Sequence, residues 1–409
     1  MTASPVHLRR RRYFVLQIAD ELELNFDRFL RARREGRRFC KCSLLCPLSG
    51  NAIDIDPDDL GLAVRIPADA WVDLDEVPVT DERERSRLVD LASRGVLLSD
   101  PPAEGWAHLA AGEDALEQAP WNELAAVYHA RTRWQGVDVL HPTLPVGNVR
   151  LAYQHLRWLR GEPPSPFVER DDADRVTPLR VPKLDDAFFR TLLARRTTRA
   201  YRSGEALPID ALEQVLYAVF GTHGLAQLAE GVAALKRTSP SGGALHPIEA
   251  YVLVLNVDGV GPGLYHYDTR IHALARLEAM EAADARALAG HFTSGQTFFA
   301  DAHALVIHVA RFRRNFWKYG RDVKAYNTVL MDAGHLSQTF YLCATHLGYG
   351  AFYTAAINDA DIARRLKLDP LRESPIGING IGIIEPGRDD LHLPAEPYHP
   401  VRMDSTAMR

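Results

Sequence analysis

The sequence predicts an α+β protein built from two regions, and three observations carry that prediction. The composition is that of a folded globular chain, 46% hydrophobic, 25% charged and 9% aromatic over 409 residues, a length that suits roughly two to three domains. A Pro-rich, charged stretch beginning Gly161-Glu-Pro-Pro-Ser-Pro can neither continue a helix nor supply a buried strand, so it reads as a linker. Beyond it, helix and strand patterns mix without regular strand–helix–strand alternation. The expected division is 1–165, a linker over 166–184, and 185–409. The same composition excludes a disordered, collagen-like or disulfide-stapled chain. With 48 basic and 53 acidic residues the formal charge is −5, which gives no global pull toward nucleic acid or an anionic membrane and leaves room for a local patch. Four cysteines are too few for a disulfide framework, so a reducing cytoplasm is the default compartment.

In the first region, the basic run Arg9–Arg12 is followed by no long apolar segment, and no targeting sequence is read there. No stretch approaches the ~18 apolar residues of a membrane span. Tyr13–Ile18 reads as a short strand, and Ala52–Ile66 carries strand and turn signals. Thr80 followed by acids suits a helix start. That helix runs through Leu88 and Leu91 to an Arg94-Gly95 stop and the apolar strand Val96-Leu97-Leu98. Helix, stop and strand resemble the end of a winged-helix unit, an arrangement of peptide-recognition and DNA-binding modules alike.

The second region opens with helical spacing over Asp185–Leu193 and again over Ile209–Phe220, where Gly221 is the stop. Glu249–Asn256 and Ala304–Ala310 read as buried strands, and Leu264–Tyr267 with Ala273–Leu277 as a hairpin. Val329, Ala333, Leu336, Phe340, Cys343 and Leu347 mark one face of a long helix ended by Gly348. Ile376–Ile384 looks like the last core strand.

Three constellations carry chemistry. Arg195-Arg196-Thr197-Thr198-Arg199 puts three guanidiniums and two hydroxyls at a helix end, able to surround a phosphate or to remain a solvated terminus. Pro240-Ser241-Gly242-Gly243, before a strand, lets backbone approach a flat ligand, or forms an ordinary turn. Lys318-Tyr319 offers two groups that exchange a proton near neutral pH if burial favours the neutral amine, and is otherwise plain surface.

In this order and spacing the three resemble one family. From about Asp185 to Pro386 the chain is similar to the nitroreductase superfamily, specifically to SagB/ThcOx-type flavin-dependent dehydrogenases of peptide-modification clusters. The resemblance also draws on Gly263-Leu-Tyr-His-Tyr-Asp, Asp332-Ala-Gly-His-Leu-Ser-Gln and Leu347-Gly348-Tyr349-Gly350. It implies a central mixed sheet flanked by helices and FMN at a homodimer interface. Arg195, Arg196, Thr197 and Arg199 would hold the phosphate and ribityl chain. Pro240, Ser241, Gly242 and Gly243 would line the isoalloxazine. Tyr353, Thr354 and Ala356 would place backbone against the flavin, in a segment that departs from the Pro-x-x-Gly pattern of simple nitroreductases, and Arg388 would be a second phosphate ligand. Lys318-Tyr319 matches the family's Lys-Tyr pair. The implied reaction oxidises a thiazoline or oxazoline in a ribosomally made precursor peptide: the α-proton leaves to Lys318 or Tyr319, hydride passes from the β-carbon to the flavin, and oxygen reoxidises it. A cyclodehydratase or other modifying enzyme is an implied partner.

Two rivals remain open on the residues alone. Reduced FMN could saturate a dehydroamino acid in a lanthipeptide-like substrate, or the chain could be a non-catalytic scaffold that binds a leader peptide or, less well matched to its charge, DNA. Cys40, Cys42 and Cys46 lack a second ligand pair at zinc spacing and read as reduced cysteines in a turn. Gly259-Val-Gly-Pro-Gly is followed by a hairpin where a dinucleotide-binding turn needs a helix. His335 and His346 read as helix-face residues.

Overall fold

The computed structural model describes residues 7–24, 36–50, 52–139, 149–167, 177, 179–202 and 204–387. The chain forms two compact units. One gathers Met1–Trp134 with Ala310–Met331 and Ala363–Ser374; the other holds Gln135–Val309, Asp332–Ile362 and Pro375–Arg409. Residues far along the chain thus join the N-terminal segment.

In the first unit, the strand His7–Arg10 lies between Val72–Asp73 and Leu97–Asp100, and the hairpin Val15–Leu24/Gly36–Leu45 carries Ile53–Asp54 at its edge. Leu8, Leu62, Leu88, Leu91 and Leu97 form a shared core. Three local features differ from the expectation. Ala52–Ile66 carries the short strand Ile53–Asp54 as read, but continues into a helix, Pro57–Ala63, because Asp56 caps it and Pro57 occupies the first turn, where a missing N–H costs nothing. The cap of Glu82–Ser93 is Asp81 rather than Thr80: its carboxylate accepts from the Arg83 and Glu84 N–H groups, whereas Thr80 donates its own N–H to Glu84. Cys40 and Cys42 sit on a strand rather than in a turn, and only Cys46 is buried.

A second core in this unit is aromatic. Trp121, fully buried, packs at 4.8 Å between ring centroids against both Phe312 and Phe316, and its indole N–H donates to the Leu371 carbonyl at 2.8 Å. His129 bridges the Pro370 carbonyl and the Tyr326 hydroxyl at 3.0 and 3.2 Å. Burial pushes its pKa down to about 4. Arg321 pairs with Glu117 and Glu123, and its carbonyl accepts from Asn122. Together these contacts fix the short helix Phe312–Tyr319 to the helices His108–Gln118 and Glu123–Thr132.

The second unit is organised on a six-stranded sheet in the order Ala273–Ala279, Gly263–Asp268, Ile248–Val254, Ala304–Arg311, Glu373–Gly382, Gly350–Thr354. The Ala304–Arg311 strand is buried on both faces, as its unbroken apolar run demands. Helix Ile209–Phe220 buries Leu212, Val215, Leu216, Val219 and Phe220, and the long helix runs Lys324–His346. Unforeseen in the sequence are the hairpin Gly224–Ala229/Val232–Lys236 and the strand Gly350–Thr354. Among the described residues no helix is long and apolar enough to cross a membrane.

A cradle on the central helix

The arginine segment is positioned by a short helix and a sheet edge. Asp186 caps Ala187–Ala194 by accepting from the Phe189 N–H, and the chain leaves the helix at Arg195 in extended conformation. Thr197 then bridges Ala351 in parallel, with the Thr198 N–H donating to the Ala351 carbonyl at 2.8 Å. Gly350 is required beside this bridge, since a Cβ there would stand 2.6 Å from the Thr198 side chain. Tyr341, on the long helix, joins three parts of the site. Its hydroxyl accepts the Tyr353 N–H at 2.8 Å and lies 3.0 Å from Thr197 Oγ1, and the Arg195 guanidinium stands over its ring at 5.2 Å. Arg195 and Thr197 are thereby brought to the backbone of Tyr353.

Arg195, Arg196 and Arg199 are all half-buried, and among the described residues none of them has an ion-pair partner. Partly desolvated cations with no carboxylate at ion-pair distance among the described residues are able to take an anion, because each has shed some hydration without gaining a counter-charge. These residues fit a phosphate.

The glycine loop is held by a different edge of the same helix. Asp332, only 3% exposed, accepts the Ser241 hydroxyl at 2.5 Å and the Gly242 N–H at 3.2 Å. Burial raises its pKa, opposed by those two hydrogen bonds. Two turns further along, Ser239 and Thr339 share a hydroxyl contact at 2.6 Å, and Ser241 Oγ accepts from the His246 N–H. Gly243, Ala244 and His246 all take positive φ, so the loop is strained at two positions where glycine is absent. That backbone leaves Gly243 exposed at the crown and Pro240 exposed beside it.

Asp332 and Tyr341 are nine residues apart. At 100° and 1.5 Å per residue, they lie about 13 Å along the helix and roughly half a turn around it. The arginine segment and the glycine loop therefore flank opposite edges of the helix's buried stripe, with the exposed residues Gly334, His335 and Gln338 on the surface between them.

Thr354 is buried and Ala356 half-buried; the Ala356 N–H donates to Thr354 Oγ1, and Gln296 donates to both Thr354 and the Ala356 carbonyl. Behind Tyr353 lies His308, buried and held down to about 4 by loss of solvent, while the same burial pushes Tyr353 up to about 12. Both are neutral at physiological pH. Gly377 has no side chain because the Tyr353 hydroxyl fills that space.

Lys318 and Tyr319 end the helix Phe312–Tyr319 in the first unit, with the ammonium 5.5 Å from the Tyr319 ring. Lys318 is exposed and Tyr319 half-buried, so the burial invoked for the lysine is not provided within its own unit. Arg388 lies outside the described residues.

Sequence reasoning missed Asp332 and Tyr341 as site residues. The available signal was a carboxylate at an inward position of an apolar helix, three residues after Val329 and four before Leu336. A charge placed there must be answered by hydrogen bonds from a neighbouring segment.

The Nitroreductase family matches residues 192–383. A provisionally named nitroreductase of Methanocaldococcus jannaschii is 34% identical over 197 residues, which is 48% of this chain and 90% of that protein. The trifolitoxin-processing protein TfxB of Rhizobium leguminosarum is 34% identical over 149 residues, 34% of this chain. The microcin B17-processing protein McbC of Escherichia coli is 26% identical over 153 residues, 36% of this chain. The chain spans 38% and 54% of the lengths of these two peptide-processing relatives. With the archaeal relative covered almost end to end and the family's region coinciding with the sheet, cradle and central helix, the chain belongs to the nitroreductase family.

Proposed function

We propose that this chain is an FMN-dependent dehydrogenase that oxidises a thiazoline or oxazoline in a ribosomally made precursor peptide. The observation that carries the reading is the half-buried trio Arg195, Arg196 and Arg199, without an ion-pair partner among the described residues, on a segment that Arg195 and Thr197 tie through Tyr341 to the Tyr353 backbone. The trio and the Thr197 hydroxyl hold the phosphate end. Pro240, Ser241, Gly242 and Gly243 offer a flat backbone surface for the ring, and Tyr353, Thr354 and Ala356 place a sheet edge against it. Bound FMN would supply hydride acceptance.

The chain's own groups do the remaining work. Lys318 or Tyr319 takes the α-proton of the heterocycle as the β-carbon loses hydride, leaving an aromatic ring. Half a turn of helix separates the two parts of the cradle, which supports a symmetric pair in which the arginines of one copy meet the glycine loop of the other. Support for a peptide substrate comes from the relatives named for trifolitoxin and microcin B17 processing; a cyclodehydratase partner accords with that setting.

The test begins with an absorption spectrum after FMN loading and desalting. Near-stoichiometric flavin, bleached anaerobically by an azoline-bearing peptide, is the expected result. Folded protein that retains no flavin would overturn the proposal. Flavin that bleaches only with a nicotinamide donor would reverse the direction of the reaction.

A further inference from the structure

The chain carries a net negative charge, yet one face of its first unit concentrates cations. Helix Phe312–Tyr319 buries Phe312, Asn315 and Phe316 and turns Arg313, Arg314 and Trp317 outward at helical neighbour spacing. The segment Lys367–Glu373 runs beside it, tied by the Phe312 N–H donating to the Arg372 carbonyl at 3.0 Å. Between them is a cleft of about 520 Å³, to which Arg311, Lys367 and Arg372 add three further cationic side chains. Two carboxylates also line it: Asp369, 3.3 Å from Arg372, and Glu373, 3.6 Å from Arg311. Five cations against two anions leave the walls at +3.

Two details mark the cleft as more than a solvated helix face. Trp317 is 65% exposed, a large apolar surface left in water on a helix that could bury it. Lys367 has φ +57°, the left-handed conformation that ends the preceding helix and that glycine adopts with least strain. A long cationic side chain stands there instead, at the rim of the cleft.

We propose that this cleft binds an acidic stretch of the peptide substrate, with acidic side chains on the arginines and an apolar side chain on Trp317. The inference rests on the peptide-oxidation reading above and names the substrate class for it. An acidic peptide suits the mixed walls better than a compact phosphate. Asp369 and Glu373 repel clustered phosphate charge, whereas peptide N–H groups donate to them. No glycine lines the cleft to present backbone amides in the manner of a phosphate loop. The cleft also shares its helix with Lys318, one turn from Arg314, so an anchored peptide would run past the proposed base.

The experiment measures anisotropy of a fluorescein-labelled decapeptide of alternating Asp and Gly with one central Phe, against a Lys counterpart, using the full FMN-loaded chain. Saturable binding of the acidic peptide is expected. It should weaken at least about tenfold in Arg313→Glu/Arg372→Glu, the loss of roughly one charge-assisted contact or more, and weaken steeply with salt. Lys367→Gly should weaken it several-fold while folding at least as well, since glycine suits that backbone. Equal affinity in the variants, equal binding of the Lys peptide, or tighter binding of inorganic tripolyphosphate than of the peptide would each overturn the proposal. Binding is read without turnover. Loss of peptide binding with the flavin band intact would therefore sink the cleft alone, and absence of flavin with peptide binding intact would sink the redox reading alone.

Discussion

Replacing Asp332 by alanine tests whether the glycine loop belongs to the flavin site. In the folded chain this carboxylate accepts from the Ser241 hydroxyl and the Gly242 amide. Hydrogen bonds to a charged partner contribute about 1.5–3 kcal/mol each, and part of that is offset by the cost of burying the charge, visible in the raised pKa of Asp332. The net loss is on the order of 2–3 kcal/mol. If the loop must be held in its observed form to receive the flavin ring, that loss enters the binding equilibrium directly and lowers FMN affinity by about 30- to 150-fold. Asp332→Asn retains an acceptor for one donor and should stay within about tenfold. The assay is quenching of FMN fluorescence on titration with apoprotein, alongside thermal melts of the apo forms. A D332A protein that binds FMN within about threefold of the unaltered chain, while its apo melt falls, would separate the glycine loop from the flavin site. The carboxylate would then serve packing only.

Three further outcomes follow from the same structure. Lys318→Ala should retain the flavin band and lose azoline oxidation; steady-state turnover with the flavin content measured checks it, and unchanged turnover removes the lysine as the base. Gly350→Ala forces a Cβ to 2.6 Å from Thr198 and should cost about 1–3 kcal/mol, seen as a lower Tm together with weaker FMN binding, because the strained strand carries the arginine segment. His129 has a folded pKa of about 4 against an ordinary value near 6.5, so the unfolded chain binds the proton more readily between these values. Stability is full above about pH 6.5 and declines on acidification toward pH 4, by about 3 kcal/mol for this residue. Thermal melts from pH 7.5 to 5 should show the decline, and His129→Gln should make it shallower, the buried His308 continuing to contribute; a slope indifferent to that substitution would remove His129 as a source.

Much of the second unit was legible because its elements advertise themselves locally. Ile209–Phe220 has an amphipathic period with a glycine stop, and Ala304–Ala310 is an apolar run that only a doubly covered strand can bury. The strand Gly350–Thr354 escaped because it is five residues long and begins with glycine. Its place is set by pairing with Glu373–Gly382, where Gly380 and Gly377 make room for Phe352 and Tyr353. Short strands owe their existence to the partner beside them, and one chain segment read alone does not contain that partner.

By itself the sequence determined the α+β class, the arginine and glycine motifs and the family they resemble, since residue type and spacing suffice for those. Tertiary structure alone decided that Asp332 and Tyr341 hold the two motifs, that these motifs flank opposite edges of one helix, and that distant residues 310–331 and 363–374 join the first unit. Such pairings join residues some 90 to 250 positions apart. A local pattern cannot encode them, because their free energy comes from burial and hydrogen bonding that exist only once the chain has closed on itself.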